Sequence, residues 1–257
     1  MFTRRIFIVG SPVNEDDAFQ SGVKADVINY KRYFQSPIGG AFDPDHEITI
    51  LKNPSWKRLK AHLMSSPADF TIFIYTGHGF FATNTGKIVF NISEEDAVAA
   101  QTIIDHIQSP KKLIISDACQ SYMEGYNYLE GIGDGEQYMS FRSSVTKPRA
   151  RQLFNRAIID SPNGTQLFMS CSRGQESVLS PTGSFFSYAL LTSSQSWSNT
   201  NSHNTVLTAL QAGKMTTTFL KRNYSSELTI QRSSCLVTKL RPNFPIGVKY
   251  APLQLLY

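Results

Sequence analysis

Lys111-Lys112-Leu113-Ile114-Ile115-Ser116-Asp117-Ala118-Cys119-Gln120-Ser121 reads as a buried strand that stops abruptly at a cysteine. Leu113, Ile114 and Ile115 form an uninterrupted apolar run. A parallel strand covered on both faces looks like this, because neither set of alternating side chains meets water. Polar residues return at Ser116, so Cys119 falls just past the strand's carboxyl end. Open α/β sheets hold their chemistry there. Phe70-Thr71-Ile72-Phe73-Ile74-Tyr75 repeats the form and runs into Thr76-Gly77-His78-Gly79. Two such strands in one sheet are the simplest way to bring a thiol and an imidazole together.

Working outward, Arg5 to Val9 is the first strand, ended by Gly10-Ser11-Pro12, with Asn14 to Asp17 a polar loop. A helix spans Val23 to Phe34, and His46 to Leu51 is the second strand. Ser55 caps a helix that buries Leu59 and Leu63. Phe80-Phe81 and Ile88-Val89-Phe90 flank Asn84-Thr85-Gly86 as a hairpin, and a helix covers about Ala97 to Ile107. Gln120 to Lys147 is a long Gly-bearing loop of the kind that is functional or mobile. Pro148 to Ile159 is helical, Thr165 to Cys171 is a strand, and Ser184 to Leu191 is helical. Ser193 to Asn204 reads as a linker, Val206 to Leu220 as a helix, and Leu236-Val237 and Ile246 to Val248 as late strands. This alternation predicts a mostly parallel sheet with helices on both faces.

The chain has 257 residues, enough for one large α/β domain or two small ones, and 41% hydrophobic residues support a sizeable core. No apolar run approaches the roughly 20 residues that span a bilayer, and Met1 to Ile6 lacks the form of a signal peptide. The 3 cysteines, Cys119, Cys171 and Cys235, are odd in number and far apart, which argues against a disulfide framework and for a reducing, cytoplasmic setting. Cys171 and Cys235 read as core residues. The net charge of +5 is dispersed, so neither a nucleic-acid nor a membrane partner is expected. His46, His62, His106 and His203 show no metal-ligand spacing.

Thr76-Gly77-His78-Gly79 and Asp117-Ala118-Cys119-Gln120-Ser121 together resemble the His and Cys motifs of the caspase and metacaspase family of cysteine peptidases. The histidine precedes the cysteine by roughly 40 residues, near the spacing of about 50 in caspases. Gly22-Val23-Lys24-Ala25-Asp26, Gly183 to Leu191 and Asn243 to Val248 extend the likeness over nearly the whole chain. The resemblance implies a three-layer α/β fold with a central sheet of about six strands. It implies one domain over 1–257, with 1–119 like a large subunit, 120–147 like an intersubunit loop and 148–257 like a small subunit.

The residues fit peptidase chemistry without the family name. A thiol attacks as thiolate, and a nearby imidazole takes its proton and later protonates the leaving amine. This assigns Cys119 as nucleophile and His78 as base and acid. The oxyanion needs backbone donors, and the amides of Gly79 and Cys119 are the natural pair. The bland reading makes Cys119 a small buried hydrophobe and His78 an ordinary strand-end histidine.

Caspases carry Gln where this chain has Asp117. Metacaspases carry Asp there, lining a pocket for Arg or Lys, and the resemblance adds Asp26 and Thr76 to that pocket. A caspase that cuts after Asp is expected to have Arg near Gln20 and near Leu179, and neither is present. Paired carboxylates hold a guanidinium by charge-assisted bonds, so a basic P1 residue is expected. Against this, Lys24 stands near Asp26, and Arg173 offers its charge to an acidic substrate. The Asp117 carboxylate also has a bland reading, as a strand-end or capping group.

No cofactor is expected beyond calcium, which some metacaspases need. Glu94-Glu95-Asp96 is the one candidate cluster and reads equally as the acidic first turn of a helix. Arg142, Lys147, Arg149 and Arg151 are places where such an enzyme would cut itself, or a solvated basic stretch. By resemblance the protein is a bacterial member, monomeric or homodimeric. It would act on a protein substrate such as a gasdermin-like effector in antiviral defence or programmed cell death. Two other classes stay open. One is an inactive caspase-like scaffold that binds peptides. The other is a nucleotide-binding flavodoxin-like fold, opposed by the missing second and third glycines of Gly10-Ser11-Pro12-Val13-Asn14-Glu15.

Overall fold

The structure is a computed structural model that describes residues 2–13, 17–121, 138–224, 234–237 and 242–250, with 234–237 described by backbone alone. The first half of the chain forms β1 (Arg4–Ser11), α1 (Asp17–Gln35), β2 (Ile48–Lys52), α2 (Trp56–Ser65) and β3 (Phe70–Gly77). A hairpin and third strand follow as β4 (Gly79–Ala82), β5 (Lys87–Asn91) and β6 (Ala97–Ala99), then α3 (Ala100–His106) and β7 (Lys111–Asp117). The second half holds α4 (Lys147–Asp160), β8 (Gly164–Met169), β9 (Leu179–Ser180), β10 (Gly183–Ser184) and α5 (Phe185–Ser198). It closes with β11 (Val206–Thr208), α6 (Ala209–Asn223), β12 (Ser234–Val237) and β13 (Pro245–Val248).

The central sheet has six strands in the order β12-β8-β7-β3-β1-β2. All pairings from β8 to β2 are parallel, and β12 is antiparallel to β8. The expected α/β sheet of about six strands is therefore present. Its apolar runs are explained by two-sided burial. Ile6 and Ile8 of β1, Phe70, Ile72 and Ile74 of β3, and Leu113 and Ile115 of β7 face one core with α1, α4, α5 and α6. Phe7 and Val9, Phe73 and Tyr75, and Ile114 face the other with α2, α3 and Phe90 of the hairpin. The crossover after β1 leads toward one edge and that after β3 toward the other. The crevice at this switch opens between their carboxyl ends.

Several local expectations change. The first helix begins at Asp17, before Val23, and the polar positions 14–16 lie outside the described residues. Ala97–Ala99 and Val206–Thr208 are short strands, paired with β5 and β13, so both following helices start later than their apolar periodicity suggests. The first half of the Ser193 to Asn204 linker is helix, because α5 continues to Ser198. Within it the Ser194 hydroxyl donates to the Leu190 carbonyl one turn back. Of the long loop, 122–137 lies outside the described residues. Ser55 caps α2 as expected, accepting from the Arg58 N–H. Cys171 is fully buried, and the side chain of Cys235 lies outside the described residues.

Candidate active site

β3 and β7 are neighbours in register, with Thr76 opposite Asp117, so His78 and Cys119 leave the same rim of the sheet. Gly77 turns the chain off β3 at φ 144°, a conformation that a side chain resists. The Tyr75 hydroxyl lies 2.6 Å from the His78 carbonyl and 2.8 Å from that of Asn91, and the Asn91 N–H donates to the His78 carbonyl at 3.0 Å. The backbone of the histidine is thus pinned to the hairpin. Gly79 sits so close to the cysteine loop that a Cβ on it would lie 2.9 Å from the Ala118 Cβ and 3.2 Å from the Cys119 carbonyl. The residue after the histidine and the nucleophile loop are therefore packed against each other.

The Cys119 thiol accepts from the Ser177 N–H at 3.3 Å and lies 3.5 Å from the Ser177 carbonyl. Burial pushes the thiol up to about 11, with the Glu176 and Asp117 charges adding to the shift against the Ser177 N–H. Burial also holds the His78 imidazole down to about 4. Both groups are neutral at physiological pH, with each charged form disfavoured by desolvation. The Phe19 ring of α1 stacks on the imidazole, with centroids 4.1 Å apart and planes 18° from parallel.

Beside Cys119 lies a cavity of about 20 Å³, lined by Phe19, Thr76, Asp117, Cys119, Ser177 and Ser184 among others. Behind it the three pocket residues named from sequence converge. Thr76 donates its hydroxyl to Asp26 at 3.0 Å. Asp26 also accepts from the Ser184 N–H at 3.0 Å and from the Ser187 hydroxyl. Asp117 accepts from the Ser177 hydroxyl at 3.0 Å and from the Ser184 hydroxyl. Ser184 thus bridges the two carboxylates. Burial, against these hydrogen bonds, raises Asp26 to about 6. It raises Asp117 well above the usual carboxylate range, with the Asp26 charge as the second cause. Tyr30 is also buried here, and the charges of Asp117 and Asp26 reach it and help to raise its phenol. The site is an acidic cradle whose donors among the described residues are neutral hydroxyls and amides. A much larger cavity of about 530 Å³ lies between α1 and β2, and neither His78 nor Cys119 lines it.

The other candidates stand apart. Lys24 is exposed. The Arg173 guanidinium lies over the Phe81 ring at 4.8 Å, and Arg173 does not line the small cavity. Glu94 and Glu95 are exposed, while Asp96 accepts from the Trp56 N–H at 2.8 Å at the start of α2. The acids are not the first turn of a helix, since β6 follows them. Among the described residues no group of three His, Cys, Asp or Glu side chains that could hold a metal ion occurs. Lys147, Arg149 and Arg151 lie within α4, and only Arg142 lies in irregular chain. Its N–H donates to Gln195 at 3.0 Å, and its carbonyl accepts from Gln195 at 2.9 Å.

The caspase domain family model matches residues 16–235, and the chain belongs to that family. By its family the protein is a cysteine protease. Among solved structures it is similar to the crystal structure of caspase-1 from Spodoptera frugiperda, with a TM-score of 0.56 at 14% identity. That likeness of fold covers 98% of this chain and 92% of the other. No curated protein sequence matches the chain. No described helix is long and apolar enough to cross a membrane.

Proposed function

We propose that the protein is an endopeptidase in which Cys119 and His78 act as a dyad and the residue before the cut is Arg or Lys. The observation that carries the specificity is the Asp26–Asp117 cradle, bridged by Ser184 and directly behind the cavity of Cys119. Its two buried carboxylates have no cationic hydrogen-bond partner among the described residues. A guanidinium or ammonium would supply that charge.

In the reaction the Cys119 thiol passes its proton to His78 as Sγ bonds to the scissile carbonyl carbon. The amides of Gly79 and Cys119 hold the oxyanion. The carbon–nitrogen bond then breaks, and the amine leaves with the proton from His78. Water, activated by His78, hydrolyses the thioester and restores the thiol. The wider role follows from the family resemblance alone: cleavage of a partner effector of the gasdermin-like kind, in the cytoplasm, in defence or cell death.

Fluorogenic peptides that differ only at P1 test the reading, with and without calcium. Arg and Lys peptides are cut, Asp peptides are not, and Cys119→Ala and His78→Ala lower turnover by about 1000-fold or more. Preference for Asp would overturn the role of Asp26 and Asp117. Equal turnover in Cys119→Ala would overturn the dyad.

A further inference from the structure

The buried face of α1 runs Phe19, Gly22, Val23, Asp26, Asn29, Tyr30 and Tyr33, the spacing of one helical stripe. Asp26 and Tyr30 anchor the middle of that stripe in the acidic cradle. Phe19 lies at its beginning and covers the imidazole of His78. Phe19 is only 8% exposed, and its ring is part of the wall of the cavity beside Cys119, which measures about 20 Å³. That volume is about that of one water. An arginine or lysine side chain is several times too large, so the site as folded admits no P1 residue of the proposed kind.

We infer that Phe19 is the gate of the substrate cleft, and that a peptide reaches Cys119 only when the first turn of α1 lifts this ring from His78. The inference rests on the peptidase reading for its substrate, and on packing alone for the gate. Asp17 opens α1, so Phe19 lies in its first turn. The first N–H groups of any helix lack intrahelical partners, and this turn opens at least cost. The rest of α1 keeps its hold, because Val23, Tyr30, Tyr33 and Phe34 are buried further along. Lifting the ring also lets water reach the imidazole and the thiol together, which removes the desolvation that keeps both neutral. One side chain thus controls access to the cleft and the reactivity within it.

Alkylation by iodoacetamide reads the gate without any peptide substrate, and mass spectrometry separates Cys119 from the buried Cys171, which serves as internal reference. In Phe19→Ala, Cys119 is alkylated about tenfold faster or more, and in Phe19→Leu by an intermediate factor, with Cys171 unchanged in both. In parallel, kcat/KM on the Arg peptide rises in the order wild type, Phe19→Leu, Phe19→Ala. Unchanged Cys119 rates in both variants would overturn the gate. So would an equal acceleration of Cys171, since that marks general loosening. Faster alkylation of Cys119 with no hydrolysis in any form would keep the gate and overturn the peptidase reading instead.

Discussion

A methyl group on Gly79 would meet the Ala118 Cβ at 2.9 Å, the Val89 carbonyl at 3.0 Å and the Cys119 carbonyl at 3.2 Å. Two of these are backbone oxygens, which cannot swing away as the end of a flexible side chain can. The hairpin and the cysteine loop must therefore separate, which misaims both proposed oxyanion donors. Gly79→Ala is expected to lower kcat about 100-fold with little change in KM, because an oxyanion donor acts mainly in the transition state. Steady-state kinetics on the Arg peptide check this, and a KM rise with kcat intact would refute it. The residues that carry such arguments were unequally legible. Cys119, His78 and Asp117 stand at strand ends, where a polarity break marks them. Ser184 and Ser187 fall within Gly183 to Leu191, but a serine gives no sign that it will donate to a carboxylate from another element. Phe19 carries a signal of its own in the sequence: it shares the helical stripe of Val23 and Asp26. Ser177 had none, because its position depends on the irregular chain after β8.

At the scale of elements, the start of β1 is fastened by charge. Arg4 is 2% exposed and donates to Glu47 at 3.1 Å, to the Ala41 carbonyl at 2.9 Å and to Asn155 at 3.0 Å. Its guanidinium also lies 3.9 Å from the centre of the Phe42 ring. Arg151 of α4 reaches the same carboxylate at 2.7 Å, so Glu47 joins β1, the approach to β2 and α4. Glu47→Ala strands a buried guanidinium and is expected to cost about 3 kcal/mol, whereas Arg151→Ala, at a partly exposed position, costs about 1 kcal/mol. Urea unfolding measures both, and equal losses would show that Arg4 does not depend on Glu47. Sequence pattern located the elements of the sheet well, because burial on both faces leaves long apolar runs in β1, β3 and β7. It failed where a second element overrode local periodicity. β6 and β11 are strands only because β5 and β13 pair with them, and α5 extends through serines that its own carbonyls satisfy.

Across the whole molecule, the site biases stability against pH in two opposed directions. Asp26 is raised from 3.8 to about 6, so between those values the folded state holds a proton that the unfolded state has lost. Its stabilising contribution is full below the lower value and is lost as pH rises through the upper one. Burial raises Asp117 well above 3.8 too, and it acts in the same sense. His78 is lowered from 6.5 to about 4, so its contribution is full at the higher value and is lost as pH falls through the lower. Over this shared window two carboxyls oppose one imidazole. The net site contribution therefore falls as pH rises, by about one proton's worth. Asp26→Asn keeps the cradle's hydrogen bonds, since the Thr76 hydroxyl can accept from the new amide in place of donating. It leaves Asp117 against His78, nearly balanced. His78→Gln leaves the two carboxyls unopposed. Relative to wild type, the slope of melting temperature between about pH 4.5 and 6 should become more positive in Asp26→Asn and more negative in His78→Gln, by roughly 3 °C per pH unit each. Taking differences cancels every surface group common to the three proteins. Parallel melting curves for the three across that window would mean that neither group is desolvated as the fold requires, and would remove the physical basis of a closed, neutral site.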